Sequence, residues 1–416
     1  MADRHVRYLL IGGGLASVSC ADALRRRGAD GEILIVSREP DPPYDRPPCS
    51  KEYLRGQRSA QEIELRPAAW YARREIELRT RTSVMRLDPS ARTARLSDRT
   101  EVSFDRALLG TGANVRRLNV PGCELDGIHY LRTLRNADAI RSDCAGKRVV
   151  LIGGSYIGCE LAASLTELGC SCAMVMLEPQ PLSRGFGTQA GRFFRAVLEG
   201  HGVSVHGGEE LERLEGSSGR VQRVRCKSGL TLDAEAVVIG VGAVPDVTLA
   251  RAAGLRLGDS GGVRVDETLA TSAAGIWAAG DIAEYRSVVH DGAQMRIEHW
   301  DVAMHQGRHA AGAMLGDRAA YDVVPYFFSD LSDWVSLEYV GPAGAWDREI
   351  VRGSLDDGRF CILYLQGARL RAALSVARSE DLPVARQLIH SGKRLGERVE
   401  ALADLGSDLE ALAGGS

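Results

Sequence analysis

Residues 8–28 read YLLIGGGLASVSCADALRRRG, and this stretch decides the fold. Tyr8 to Ile11 is a short apolar run suited to a buried strand, Gly12, Gly13 and Gly14 form a turn, and apolar residues at helical spacing continue to Gly28. ILIV, from Ile33 to Val36, then supplies a second buried strand. Strand, glycine turn, helix and strand with the spacing G-x-G-x-x-S make a dinucleotide-binding unit. The glycines allow a sharp turn and let a pyrophosphate approach the amides at the helix N-terminus, where the helix dipole favours negative charge. Glu39, a few residues past the second strand, is placed to bind a ribose hydroxyl pair.

The same pattern returns at Lys147. KRVVLI is a strand, Gly153-Gly154-Ser155-Tyr156-Ile157-Gly158 a turn, CELAASLTELG a helix and SCAMVML a strand, with Glu178 at its end. Two copies in one chain imply two nucleotides. Ser155 replaces the middle glycine, which slightly compromises the closest backbone approach. Glu178 stands twenty residues beyond Gly158, where a 2′,3′-diol is accepted and a 2′-phosphate repelled, so NADH is expected over NADPH, with Arg184 nearby as a counter-signal.

Between the copies lies Tyr44 to Leu54, YDRPPCSKEYL. The proline pair delays a helix until Cys49, and Ser50 is expected to cap a helix whose first turn presents Lys51 and Glu52. ALLGTGA brings a strand into Thr111 and Gly112 at a close-packed turn, and GIWAAGD runs a strand through small residues to Asp281. Asp281 suits a sugar-alcohol hydroxyl and also the cap of a following helix, and both can hold at once. A helix is expected within Arg296 to Leu315. His299, His305 and His309 there lack a carboxylate or cysteine at familiar metal-ligand spacing, so solvated or core histidines are expected and no metal. Beyond Tyr321 the composition changes: PYFFSD, REIVRGS and FCILYLQGARLRAALSV read as strands and LPVARQLIHSG as a helix. Trp300, Tyr326 and Phe328 suit a core or a cofactor edge. Leu395, Val399, Leu402, Leu405, Leu409 and Leu412 form a stripe on a final helix that docks on its own chain or on a second copy.

Bulk properties fit this reading. The chain has 416 residues, 44% hydrophobic and 26% charged, with 52 basic residues against 55 acidic ones. A net charge of −3 gives no field favouring nucleic acid or anionic membrane. Nine cysteines without a C-x-x-C pair suggest free thiols in a reducing compartment, and with no signal-peptide pattern or membrane-length apolar run a cytoplasmic location is expected.

GGGLAS, PYDRPPCSKEYL, GTGANVRRL, GGSYIGCELAA, GIWAAGD and PYFFSD resemble, in order and spacing, the FAD-dependent, NADH-dependent ferredoxin reductases of Rieske dioxygenase and P450 systems. The resemblance runs through about Gly392. It implies an α/β chain with two Rossmann-like nucleotide-binding domains in a glutathione-reductase-like arrangement plus a C-terminal α+β domain. The expected domains are 1–117 with 245–322 for FAD, 118–244 for NADH, and 323–416.

Carried onto this sequence, the resemblance puts Gly12 and Gly14 on the FAD pyrophosphate, Glu39 on its ribose, Arg46 and Lys51 near its phosphate and isoalloxazine, Thr111 and Gly112 behind it, Asp281 on the ribityl chain and Trp300 at the flavin edge. NADH takes Gly153, Ser155, Ile157, Gly158 and Glu178. Glu160 faces Lys51, a catalytic pair near the flavin that fixes the lysine and helps to place the nicotinamide, and Tyr156 resembles the tyrosine that covers the empty nicotinamide pocket in related disulfide reductases. Electrons then pass from NADH through FAD to a [2Fe-2S] ferredoxin-type carrier, in a monomer or weak homodimer.

Three positions depart from the family: leucine is usual at Cys49, alanine at Gly110, and PWFWSD where this chain has PYFFSD. Two other readings remain at this stage. One is a thiol, disulfide or peroxide reductase using Cys49, although the C-x-x-x-x-C pair of such enzymes is absent. The other is an NADH-sensing flavoprotein like apoptosis-inducing factor.

Overall fold

The computed structural model describes residues 2–342 and 344–414. They form two compact units: Met1–Asp45 with Glu64–Asn114 and Val244–Phe327, and Arg46–Ile63 with Val115–Ala243 and Phe328–Ser416.

In the first unit a seven-stranded sheet is centred on Arg4–Ile11 and Glu101–Leu109. Arg4–Ile11 pairs in parallel with Ile33–Val36 on one side and Glu101–Leu109 on the other, and Ile276–Ala278 adds in parallel to the latter. The register aligns Ile11 with Val36 and Leu109, and Leu109 with Ala278. These strands therefore end at one level, and the residues that follow them emerge along one carboxyl edge. ILIV is wholly buried, as a parallel strand covered on both faces requires. The helices Leu15–Arg26 and Trp300–Met314 approach closely because position 307 is glycine: a Cβ there would run into the Ala16 carbonyl oxygen.

The second unit repeats the plan. Ser204–Gly207, Ser171–Met176, Arg148–Ile152, Ala236–Ile239 and Ile128–Tyr130 lie side by side, all parallel, with Ile152 level with Val175 and Ile239. The helix Tyr156–Glu167 follows the glycine turn. A three-stranded antiparallel sheet spanning Leu211–Asp233 joins it. The C-terminal part is a five-stranded antiparallel sheet in the order Tyr326–Leu331, Val335–Val340, Arg369–Val376, Arg359–Gln366, Arg348–Ser354, with the helix Leu382–Ser391 against it.

Three local expectations are corrected. Pro47–Ser50 is a 3-10 turn and no α-helix follows it; Ser50 Oγ lies against the carboxyl of Glu160 and the Pro47 carbonyl rather than on a free amide, so the cap is missing and Lys51 is buried rather than presented. Asp281 caps no helix, because the next element is the strand Ala283–Ser287. The C-terminal stripe is broken: Gly396–Leu402 is a 3-10 helix and Leu409–Gly414 a separate α-helix. Its physical cause is Arg352, whose buried guanidinium donates to the carbonyls of Leu402, Asp404, Leu405 and Ser407, which a continuous helix would have kept for itself. Leu395, Val399, Leu402 and Leu409 are buried and Leu405 is exposed, while the Leu412 side chain lies outside the described residues.

Candidate functional site

On the carboxyl edge of the first sheet, Gly12 has φ +117, and a Cβ there would collide with the Gly110 carbonyl. Gly14 is the N-cap of Leu15–Arg26. No side chain caps that helix, no acid sits in its first turn, and a Cβ at Gly14 would meet nothing within 4 Å. The first amides of the helix are thus left for an outside acceptor, and backbone can be approached closely there. That is the cradle a pyrophosphate needs.

Glu39 follows the next strand and accepts a hydrogen bond from Tyr44 Oη at 2.6 Å. Thr111 Oγ1 donates to the Asp246 carbonyl at 2.7 Å, and the Asp246 N–H donates back to Gly112, whose φ is +70. Asp246 also receives Arg38 at 2.7 Å. Asp281 lies three residues past Ala278 on the same edge, its carbonyl accepting from Arg296. Trp300 Nε1 donates to Asp45 Oδ1 at 2.6 Å. Gly12, Gly14, Glu39, Thr111, Gly112 and Asp281 are therefore gathered on one sheet edge; Arg38, Asp45 and Asp246 add hydrogen bonds there and were not anticipated. Their signal in sequence was faint, since an arginine after a strand and an aspartate after V-P have many uses.

The second sheet has the matching edge. Gly153 has φ +111, a Cβ on it would strike the Gly240 carbonyl, and one on Gly158 would strike the carbonyl of Gly153. Ser155 is the N-cap of Tyr156–Glu167 but does not cap it; its hydroxyl donates to the Gly240 carbonyl at 3.2 Å, leaving this helix start open too. Ile157 is exposed beside it. Glu178 lies two residues past Met176, and its carbonyl accepts the Gly208 N–H at 3.1 Å. Arg184 is exposed within the helix Ser183–Gly200. Tyr156 packs edge-on against Phe186, ring centroids 5.5 Å apart.

Also in the second unit is a buried polar cluster. Lys51 Nζ stands 3.0 Å from Asp330 Oδ2 and 3.5 Å from Glu160 Oε1, and 5.1 Å from the centre of the Phe328 ring. Glu160 also meets Ser50 Oγ at 2.5 Å and Ser329 Oγ at 2.6 Å. Ser329 and Asp330 were unassigned from sequence and Ser50 was expected only as a helix cap, although SK and SD stand inside two of the quoted motifs. Arg46 donates to the Arg132 carbonyl at 2.7 Å. Cys49 is 3% exposed.

Burial pushes the His299 imidazole down to about 4 and lowers His309 as well, although both residues keep some solvent exposure. Among the described residues no group of three or more His, Cys, Asp or Glu is arranged to hold a metal. Among the same residues no helix is long and apolar enough to cross a membrane.

Two dinucleotide-type turns, each with an open helix N-terminus and a following acid, define a pyridine-nucleotide oxidoreductase. Residues 6–307 match the family described as pyridine nucleotide-disulphide oxidoreductase, and residues 326–413 match a reductase C-terminal domain; the chain belongs to that family. Its cofactors are FAD and NAD(H), which the two open turns fit. The chain is 33% identical, over 97% of its length and 97% of the relative's, to the ferredoxin–NAD(+) reductase component of the biphenyl dioxygenase system of Paraburkholderia xenovorans. Two solved structures are also similar. The ferredoxin reductase for the CYP199A2 system from Rhodopseudomonas palustris has a TM-score of 0.93 at 32% identity, covering 98% of this chain and 99% of that one. The covalent putidaredoxin reductase–putidaredoxin complex gives 0.92 at 32% identity, covering 99% and 98%.

Proposed function

We propose that this flavoprotein passes electrons from NADH through FAD to a [2Fe-2S] ferredoxin-type carrier that feeds a P450 or Rieske oxygenase. The observation that carries the reading is the pair of open glycine turns, one per parallel sheet, each followed by its own acid. FAD, when bound, takes two electrons together from a nicotinamide and releases them one at a time, which suits an acceptor of single electrons. The residues of this chain have binding and positioning to do. The amides after Gly12 and Gly14 hold the FAD pyrophosphate, and Glu39 and Asp281 accept from its sugar hydroxyls. Thr111 and Gly112, locked by Asp246, form a rigid wall, and Trp300 is oriented by Asp45. In the second unit the amides after Gly153, Ser155, Ile157 and Gly158 hold the NADH pyrophosphate. Glu178 accepts the adenosine diol and repels a 2′-phosphate, and Tyr156 borders the nicotinamide pocket.

The domain assignment is 1–117 with 245–322 for FAD, 118–244 for NADH and 323–416 as the C-terminal domain. The partner is a ferredoxin-type protein rather than nucleic acid or membrane, and the protein works as a monomer or weak homodimer in the cytoplasm. The test is NADH-dependent reduction of cytochrome c by the FAD-loaded protein, with and without [2Fe-2S] ferredoxins. A rate raised at least tenfold by one of them supports the reading. Indifference to all of them, with disulfide or peroxide reduction that disappears in Cys49→Ser, would replace it.

A further inference from the structure

The cluster around Lys51 contains one cation and two carboxyl groups. Two negative charges against one positive leave a charge unmatched in a buried place, and the least costly remedy is a proton on the more deeply enclosed carboxyl. The two carboxyls differ in the required way: the Asp330 side chain is 37% exposed and water helps to hold its charge, whereas that of Glu160 is 6% exposed. Lys51 also stands nearer to Asp330, at 3.0 Å against 3.5 Å.

The hydroxyl groups agree with this. Ser50 Oγ lies 2.5 Å from Glu160 Oε2 and 3.2 Å from the Pro47 carbonyl oxygen. A serine hydroxyl has a single proton. When it goes to Pro47, the short contact to Glu160 is completed by a proton on the carboxyl. Burial raises the Glu160 pKa against the opposing pulls of Lys51, Ser329 and Ser50. The adjoining thiol of Cys159 is itself pushed up by burial and stays neutral, so it adds no charge.

We infer that Glu160 is a protonated carboxylic acid at neutral pH, donating to Ser50, and that Asp330 is the anion that positions Lys51. One strand, Tyr326–Leu331, then supplies both the counter-ion of Lys51 and, through Phe328, the ring beneath its ammonium. The role given to Asp330 rests on reading Lys51 as a functional residue for NADH.

The proton is tested by infrared spectroscopy of the oxidised, FAD-loaded protein carrying carboxyl-¹³C glutamate. A protonated-carboxyl band that shifts with the label and is lost in Glu160→Gln is expected; a wild-type protein without such a band at neutral pH overturns the inference. Flavin reduction by NADH in stopped flow tests Asp330. Asp330→Asn is expected to slow it about tenfold or more and to change its pH profile, with partial rescue by Asp330→Glu. A wild-type rate and pH profile in Asp330→Asn, while Lys51→Met is slow, overturns the positioning role. A wild-type rate in Lys51→Met removes the reading of Lys51 and with it the role of Asp330, and leaves the infrared result to decide the proton independently.

Discussion

Lys51 is a long cationic side chain only 3% exposed, and a buried ammonium persists when its partners are fixed. Asp330 and the Phe328 ring give it one geometry, and rigid placement of this kind is what positioning a nicotinamide demands. Lys51→Met keeps an unbranched side chain one atom shorter and removes the charge. It is expected to slow reduction of bound flavin by NADH about tenfold or more in stopped flow while FAD stays bound; an unchanged rate sinks the role. Glu160 adds a pH dependence of stability. Its pKa is raised on folding, so the protonated form is favoured by the fold. That contribution is complete below the unfolded value of about 4.3 and is lost as pH rises through the folded value, with a slope of at most about 1.4 kcal/mol per pH unit for one proton. Urea unfolding of the wild type should show this loss relative to Glu160→Gln, and parallel pH profiles would contradict it.

The glycine turns differ in one instructive respect. In the second copy, Gly158 occupies the tight third position and faces Gly240, where an added Cβ would have ordinary contacts, the nearest at 3.7 Å. In the first copy that third position is Ser17, fully buried, and its hydroxyl fills the space opposite Gly110: a Cβ there would lie 2.6 Å from Ser17 Oγ. The alanine usual in the family at Gly110 would here meet the Ser17 hydroxyl, which must turn away to admit it. Among the described residues Ser17 Oγ also has no hydrogen-bond partner, so the hydroxyl gains no compensating bond from them. Gly110→Ala should therefore destabilise by about 1–3 kcal/mol, as overpacking does, and Ser17→Ala in the same chain should recover most of it. Gly240→Ala should cost much less. Thermal melting of these three variants and of Ser17→Ala alone checks the set, and additive effects of the two changes at 17 and 110 would refute the coupling.

Both turns were legible because strand, glycine and helix signals agree locally. The broken C-terminal stripe was not, because the carbonyls of Leu402, Asp404, Leu405 and Ser407 are taken by Arg352 from another part of the chain. The missing helix after Pro48 has the same kind of cause: Ser50 found a better partner in Glu160, 110 positions away.

At the scale of the whole molecule, the chain assembles each unit from separated segments, and each unit carries one parallel sheet with one open helix start. Sequence revealed the duplication and the acids that follow it, because those signals are local. It did not reveal Asp330, because pairing a strand near residue 330 with Lys51 needs the fold itself. Assigning FAD to the first sheet and NADH to the second makes a prediction that maps along the chain. A ligand that occupies open amides slows their exchange and stabilises the folded state by mass action. Hydrogen exchange on the protein stripped of FAD should therefore show, on adding FAD, new protection at residues 12–17 and 110–112. Adding NAD⁺ to the FAD-loaded protein should protect residues 153–158 and the segment around Glu178, and NADP⁺ at the same concentration should do so less because its extra phosphate meets Glu178. Glu178→Ala should narrow the difference between the two nucleotides, with Arg184 then free to favour the phosphate. Protection of 153–158 by FAD alone would exchange the two assignments, and equal protection by both nucleotides in the unmodified chain would remove Glu178 as the discriminating residue.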